Sequence, residues 1–175
     1  MVGLTRDALV ALHAALFREA PASAPAVLQE AGYAGGAALY EAFSGWLASR
    51  GQTAPDGVSA VEFERVAAEF FDELGWGTLR VSALHDSALA VDAENWAEAN
   101  PASGMQYPGC YFSSGLFADF FGRLGGAPVV AMEVECRSMG HERCRFLVGS
   151  AETIQHVYDG LTQGIPYDDA LMQMA

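Results

Sequence analysis

Residues Val129 to Ser150 read VVAMEVECRSMGHERCRFLVGS. Two apolar-rich runs, Val129 to Cys136 and Cys144 to Val148, flank a polar turn, Arg137 to Arg143, that contains Gly140. Extended runs on either side of a glycine-bearing turn predict an antiparallel hairpin. Cys136 and Cys144 stand at the two ends of the turn, and residues facing each other near the base of a hairpin come within about 5 Å. Thiols so placed can share a tetrahedral metal at sulfur distances of about 2.3 Å. They can also oxidise to a disulfide, or sit as small buried apolar side chains. Spacing alone leaves these readings open.

Working outward, PGCYFSSGLFADFFGRLGG (Pro108 to Gly126) predicts a helix over about Cys110 to Leu124, stopped by Gly125-Gly126. Cys110 falls at its start, where the helix dipole and free amide groups favour a thiolate. Glu133 and Glu135, both on the strand that ends at Cys136, could add a carboxylate. Strand parity sets a condition: Glu133 and Cys136 are three apart and point to opposite faces of a regular strand. Sharing a metal therefore needs a bulge, or a Cys136 that already belongs to the turn.

Towards the amino terminus, Thr5 opens a helix to about Glu19 that Pro21 ends. A second helical region, Ala26 to Ser49, is expected to break or bend at Gly32, Gly35 and Gly36. Ser59, with Glu62 three residues on, reads as a capping box for a third helix that Gly75 stops. Two short strands, Thr78 to Ala83 and Ser87 to Val91, follow, joined at His85-Asp86. Ala93 to Pro108 is polar and irregular, Glu152 to Leu161 is a short helix, and the tail after Gly164 is expected to fray or to serve a contact. The expectation is one α/β (α+β) domain over 1–175, an antiparallel sheet of about four strands packed by helices. It divides into amino-terminal helices (1–58), a core (59–164) and a tail (165–175).

The Pro108 to Gly126 and Val129 to Ser150 stretches closely resemble the 4-vinyl reductase domain family. The resemblance rests on a cysteine opening a glycine-containing amphipathic helix and on the closing pattern C-x-x-x-G-x-x-x-C-x-F, here Cys136, Gly140, Cys144 and Phe146. It is strong over Cys110 to Val148 and loose over Ser59 to Tyr107. The family includes sensory domains of phenol- and xylene-responsive activators and proteins linked to bacteriochlorophyll synthesis, and its fold is shared with subunits of the TRAPP vesicle-tethering complex. The zinc ligands of the aromatic sensors run Cys, Glu, Cys, Cys. By that resemblance Cys110, Glu133, Cys136 and Cys144 are the ligands of a structural zinc, and Glu133 is chosen over Glu135. His141, Arg137 and Arg143 are candidates to donate to the anionic cluster.

The second half of the chain is rich in aromatic residues, which suits either a packed core or an apolar cavity with a few polar anchors. In the aromatic-sensing relatives a cavity lies beside the zinc, and by that analogy His85, Trp96, Tyr107, Phe117 and Phe121 are the ligand-pocket candidates. No nucleophile elbow, phosphate loop or dinucleotide fingerprint occurs, so the chain reads as a binding domain rather than an enzyme. The resemblance implies a sensory domain for a small apolar or aromatic ligand. Its alternatives are an accessory or carrier protein of tetrapyrrole metabolism and a TRAPP-like interaction module.

The net charge of −13, with all nine basic residues arginine, argues against nucleic acid as a partner. No apolar run reaches the roughly 18 residues needed to span a bilayer, and the first helix is a poor signal peptide. A cytoplasmic protein that forms a homodimer and signals through a separate output protein is expected. An odd number of cysteines, three, does not suit a disulfide framework.

Overall fold

Hydroxyl side chains cap three of the described helices, at Thr5, Ser59 and Ser150. In the computed structural model, which describes residues 4–52 and 54–174, the Thr5 hydroxyl accepts from the Ala8 amide at the head of α1 (Arg6–Glu19). Helix α2 (Ala24–Ser49) follows, then α3 (Ala60–Glu73), whose cap Ser59 accepts from the Glu62 amide. The capping box is only half made, because the Glu62 carboxylate turns to Arg65 and Gln52 instead. Strands β1 (Thr78–His85) and β2 (Ala88–Glu94) run longer than the sequence predicts. Then come α4 (Tyr111–Gly125), β3 (Val130–Glu135), β4 (Cys144–Gly149) and α5 (Ala151–Thr162), the last capped by Ser150. The tail forms α6 (Tyr167–Met172).

The four strands pair antiparallel in the order β1-β2-β4-β3. Their alternation sorts the side chains into two layers. Leu79, Val81, Val91, Phe146 and Val148 face Phe43 and Leu47 of α2, Phe70 and Phe71 of α3, and Phe117, Phe120 and Phe121 of α4. On the other side of the sheet Ala88 and Leu147 pack with Ile154 and Val157 of α5 and Leu171 of α6. Each fully buried Leu or Phe contributes roughly 1.5–3 kcal/mol, so the aromatic layer is the larger source of stability.

One expectation is corrected here. Helix α2 runs unbroken through Gly32, Gly35 and Gly36. These residues do not break it; they let α4 come close. A Cβ at Gly32 would overlap the Phe112 carbonyl, one at Gly115 of α4 would overlap the Gln29 carbonyl, and one at Gly36 would lie 2.5 Å from the Asp119 side chain. Of the two readings of the tail, fraying or a contact, it takes the contact. Ala170 and Leu171 are buried, and the Tyr167 hydroxyl accepts from Arg145 at 3.0 Å while donating to Glu135. A six-residue helix is too short to show a period in sequence.

The glycine contact makes a paired prediction. Gly115→Ala should lower stability in urea denaturation by about 1–3 kcal/mol or more, because the clash is with backbone. Gly45→Ala, which meets nothing within 4 Å, should leave stability unchanged or raise it by up to about 1 kcal/mol. Equal effects at the two positions would mean that α2 and α4 do not approach as described.

Candidate functional site

Cys136 lies just past the end of β3, and the β3–β4 register shifts between Glu133 and Glu135: Glu133 pairs with Phe146, and Glu135 with Arg145. A bulge of this kind re-aims side chains, so Glu133 and Cys136 come to one side of the strand while Glu135 faces away. Glu135 binds Arg143 and Tyr167 on the opposite face. Cys144, the first residue of β4, sits opposite Ala93. Cys110 precedes α4, and its amide donates to Glu133 Oε2 at 2.8 Å.

The result is one buried cluster: Cys110, Glu133, Cys136 and Cys144 place a sulfur or carboxylate oxygen each within 4.8 Å of the others. Cys110 Sγ is 3.9 Å from Cys136 Sγ and 3.8 Å from Cys144 Sγ. Sulfurs about 2.3 Å from a tetrahedral centre stand about 3.8 Å apart, so the spacing suits three thiolates around one metal ion and is far too long for a disulfide. The second carboxylate oxygen, Glu133 Oε1, is buried without a hydrogen-bond partner. A buried acceptor left unpaired is costly, and a cation at this point relieves it. The cluster could therefore hold a metal ion.

Electrostatics agree. Burial and the Cys136 thiolate push the Glu133 carboxyl up from its ordinary value, while hydrogen bonds from the thiols of Cys110 and Cys144 pull Cys136 down. Four acidic groups thus compete for few negative charges, the condition that a soft divalent cation removes. His141 does not join them: its Nδ1 accepts the Cys136 amide at 2.9 Å. The Arg137 amide points to Cys144 Sγ at 3.5 Å. Arg143 is spent on Glu135 and Asp92.

The five pocket candidates go to three places. Trp96 and Phe117 are fully buried. The Trp96 indole donates to Ser113 Oγ at 2.7 Å, its ring lies 5.4 Å from that of Phe117, and Phe117 lies edge-on to Phe146 at 5.0 Å. Both belong to the same buried core as Cys110, Cys136 and Cys144. Tyr107 is 71% exposed. His85 and Phe121 line a groove of about 630 Å³ at the far end of the sheet, walled by Phe63 of α3, Val81 and Ala83 of β1, Leu124 of α4 and Val148 of β4. The Ser87 amide donates to His85 Nδ1 at 3.3 Å, so the neutral imidazole carries its proton on Nε2 and is a donor.

Sequence reasoning passed over Glu98. Its fully buried carboxylate accepts from the Phe112 and Ser113 amides at 2.9 and 2.8 Å and from the Ser113 hydroxyl at 2.5 Å, holding the first turn of α4. His13 Nε2 lies 3.8 Å away. Nothing in the Trp96 to Asn100 stretch marks such a role, because the helix that Glu98 caps begins more than ten residues later.

Residues 90–150 match the family model of the 4-vinyl reductase domain. That segment runs from within β2 to the end of β4 and carries every residue of the cluster. The comparison with curated proteins gave no match. Among solved structures, the phenol-responsive sensory domain of the transcription activator PoxR, crystallised with phenol, superposes with a TM-score of 0.62. It is 18% identical, over 95% of this chain and 83% of that one. A trafficking protein particle complex subunit 3 from Naegleria fowleri, covalently bound to palmitic acid, superposes at 0.55 with 13% identity, over 82% and 93% of the two chains. A vinyl-4-reductase family protein from Methanocaldococcus jannaschii overlaps 48% of this chain at 22% identity, with a TM-score of 0.43. The first two likenesses fix the fold around the matched segment. No described helix is long and apolar enough to cross a membrane.

Glu98 supplies a pH prediction. Burial raises its carboxyl from 4.5 to about 7. A carboxyl raised on folding stabilises the fold below its unfolded value, and that contribution fades as pH climbs from about 4.5 through about 7. The rise corresponds to about 3 kcal/mol at most. Denaturation between pH 5 and 7.5 should therefore show wild-type stability falling relative to Glu98→Gln as pH increases. Parallel curves for the two proteins would remove Glu98 as the source.

Proposed function

We propose that the chain is a zinc-stabilised sensory domain that binds a small apolar or aromatic molecule. The observation that carries the metal half is the convergence of three buried sulfurs on a buried carboxylate oxygen with no other partner. Zinc suits this donor set, since borderline-soft ions favour thiolates and tolerate one oxygen. When bound it would supply a staple and no reaction, because four protein ligands leave no open position. The chain's own residues do the rest. Cys110 ties the head of α4, Glu133 and Cys136 the end of β3, and Cys144 the start of β4.

The ligand half is supported by the groove lined by His85 and Phe121 and by the phenol-responsive neighbour. Trp96 and Phe117 are packed solidly into the core that the cysteines share, so the reading moves the ligand to the far end of the sheet. There an apolar floor meets the imidazole of His85, the hydroxyl-bearing Ser82, Ser87 and Ser150, and Asp86, with no arginine among the lining residues. Such a wall favours a neutral apolar molecule with a hydrogen-bond acceptor. A cytoplasmic homodimer that passes its signal to a separate output protein completes the reading. The exposed Val27, Ala31, Ala34 and Ala38 along one stripe of α2 are the surface offered for pairing. A carrier for a tetrapyrrole or a purely interacting module are the other outcomes of the test.

Elemental mass spectrometry of the purified protein should find about one zinc per chain, and Cys144→Ser should lose it together with several kcal/mol of stability. Wild-type protein without metal and with unchanged stability would end the metal reading. For the groove, calorimetry with 1-naphthol should show binding that Ala83→Phe weakens at least tenfold while zinc content stays the same. Absence of naphthol binding alongside uptake of a porphyrin would favour the carrier. Absence of both would favour the interaction module.

A further inference from the structure

The residues of the cluster arrive unevenly. Glu133, Cys136 and Cys144 belong to one hairpin, whereas Cys110 comes from a separate loop that leads into α4. On the inner side the three cysteines share the aromatic core with Trp96, Phe117 and Phe146, and each is at most 1% exposed. An ion cannot pass through that packing, so exchange with solvent needs another side to open.

The outer side is closed by the loop from Asn100 to Gly109. Most of its residues are exposed, and Pro101, Pro108 and Gly104, at φ 59°, shape its course. Its ties to the rest of the protein fall at Ser138 and around Gly109. The Asn100 amide donates to Ser138 Oγ at 2.9 Å, and the Met105 amide to the Ser138 carbonyl at 2.8 Å. The Gly109 amide donates to the Cys136 sulfur. The Gly109 carbonyl lies 2.8 Å from His13 Nε2, and since a carbonyl only accepts, that nitrogen carries the proton.

His13 belongs to α1, which rests on the protein lightly: of its 14 residues only Leu9 is buried. Towards its start α1 is pinned to a rigid point. The Arg6 guanidinium donates to the carbonyls of Asn95 and Trp96, and the Trp96 side chain is fully buried. The helix thus runs as a strap from the fixed base of the loop to its far end at Gly109. Beneath the strap, a space of about 200 Å³ lies among Ala14, Phe17, Met105 and Ser138, so the inner edge of the loop is not tightly packed. Elements with exposed hydrogen bonds and few buried contacts are those that open locally.

We propose that the Asn100 to Gly109 loop is a lid over the metal centre and that α1, through His13, is its latch, so that the latch sets how fast the ion enters and leaves. This rests on the metal reading of the cluster. Releasing His13 frees Gly109 and withdraws its amide from Cys136. The ion is then reached from outside while the β3–β4 hairpin and α4 keep their places. His13 is a positioning residue: it touches no sulfur and acts through the Gly109 backbone.

The test follows zinc transfer from the metal-loaded full chain to an excess of a chromogenic pyridylazo chelator in stopped flow. The wild-type rate should level off as chelator is raised, because opening then limits transfer. His13→Ala should raise that plateau roughly tenfold, as the loss of one hydrogen bond allows. Ser138→Ala, which loosens the lid from the hairpin side, should raise it as well. His13→Gln, which offers an amide donor at a similar reach, should bring it back towards wild type. Tyr167→Phe loses hydrogen bonds on the far face of the sheet and should leave it unchanged. A wild-type rate that climbs with chelator without levelling, or equal plateaus for wild type and His13→Ala, would overturn the lid. So would an equal acceleration by Tyr167→Phe, which traces release to global unfolding. A wild-type chain that takes up no zinc ends the metal reading and this inference with it, whereas zinc held and released at unchanged rates ends this inference alone.

Discussion

Four acidic side chains occupy a buried space less than 5 Å across, and the rest of the fold is arranged around that fact. Fully ionised, three thiols and a carboxyl would carry four negative charges, and among the described residues no arginine side chain neutralises them. A doubly charged cation would bring the formal charge to −2. Backbone amides then meet part of the remainder, from Cys110 to Glu133 and from Arg137 to Cys144. The chain reaches this point from three directions: the head of α4, the end of β3 and the start of β4. Every one of those directions is fixed by hydrogen bonding rather than by apolar packing alone. Glu98 holds the first turn of α4, His141 holds Cys136, and the strand ladder holds Cys144.

Around this knot the aromatic layer is closed. Trp96, Phe71, Phe117, Phe120 and Phe146 meet at ring spacings of 5.0–6.0 Å, largely edge to face, the arrangement that aromatic quadrupoles favour. Open space survives at the margins instead, among them the groove where the β1–β2 turn leaves α3 and α4 apart, whose mostly apolar lining also carries His85, Asp86 and three serines.

How much of this could be read in the sequence depended on the range of the signal. The β3–β4 hairpin and α4 were legible because Gly140, Gly126 and the local periodicity mark them within a few residues. The convergence of Cys110, Glu133, Cys136 and Cys144 was legible only through resemblance, since the bulge between Glu133 and Glu135 that unites Glu133 with Cys136 leaves no local mark. Gly32 was misread for a related reason: a glycine that breaks a helix and a glycine that admits another helix look alike until Phe112 is placed against it. Trp96 and Phe117 could not be told apart from His85 and Phe121, because core and cavity use the same aromatic residues. Glu98 was silent, its partners being supplied by a helix far along the chain.

Helix α4 is about 22 Å long from its 15 residues, with the knot at its head and the groove at its foot. Its seam with α2, made of facing glycines, leaves no slack for it to slide or turn. Changes at the foot therefore need not loosen the knot. Ala83, exposed there, can be exchanged over generations while Cys110 and its partners stay fixed, whereas Phe121 and Val81 belong to the buried layer and are held by it, so variation at that end is confined to its outermost positions.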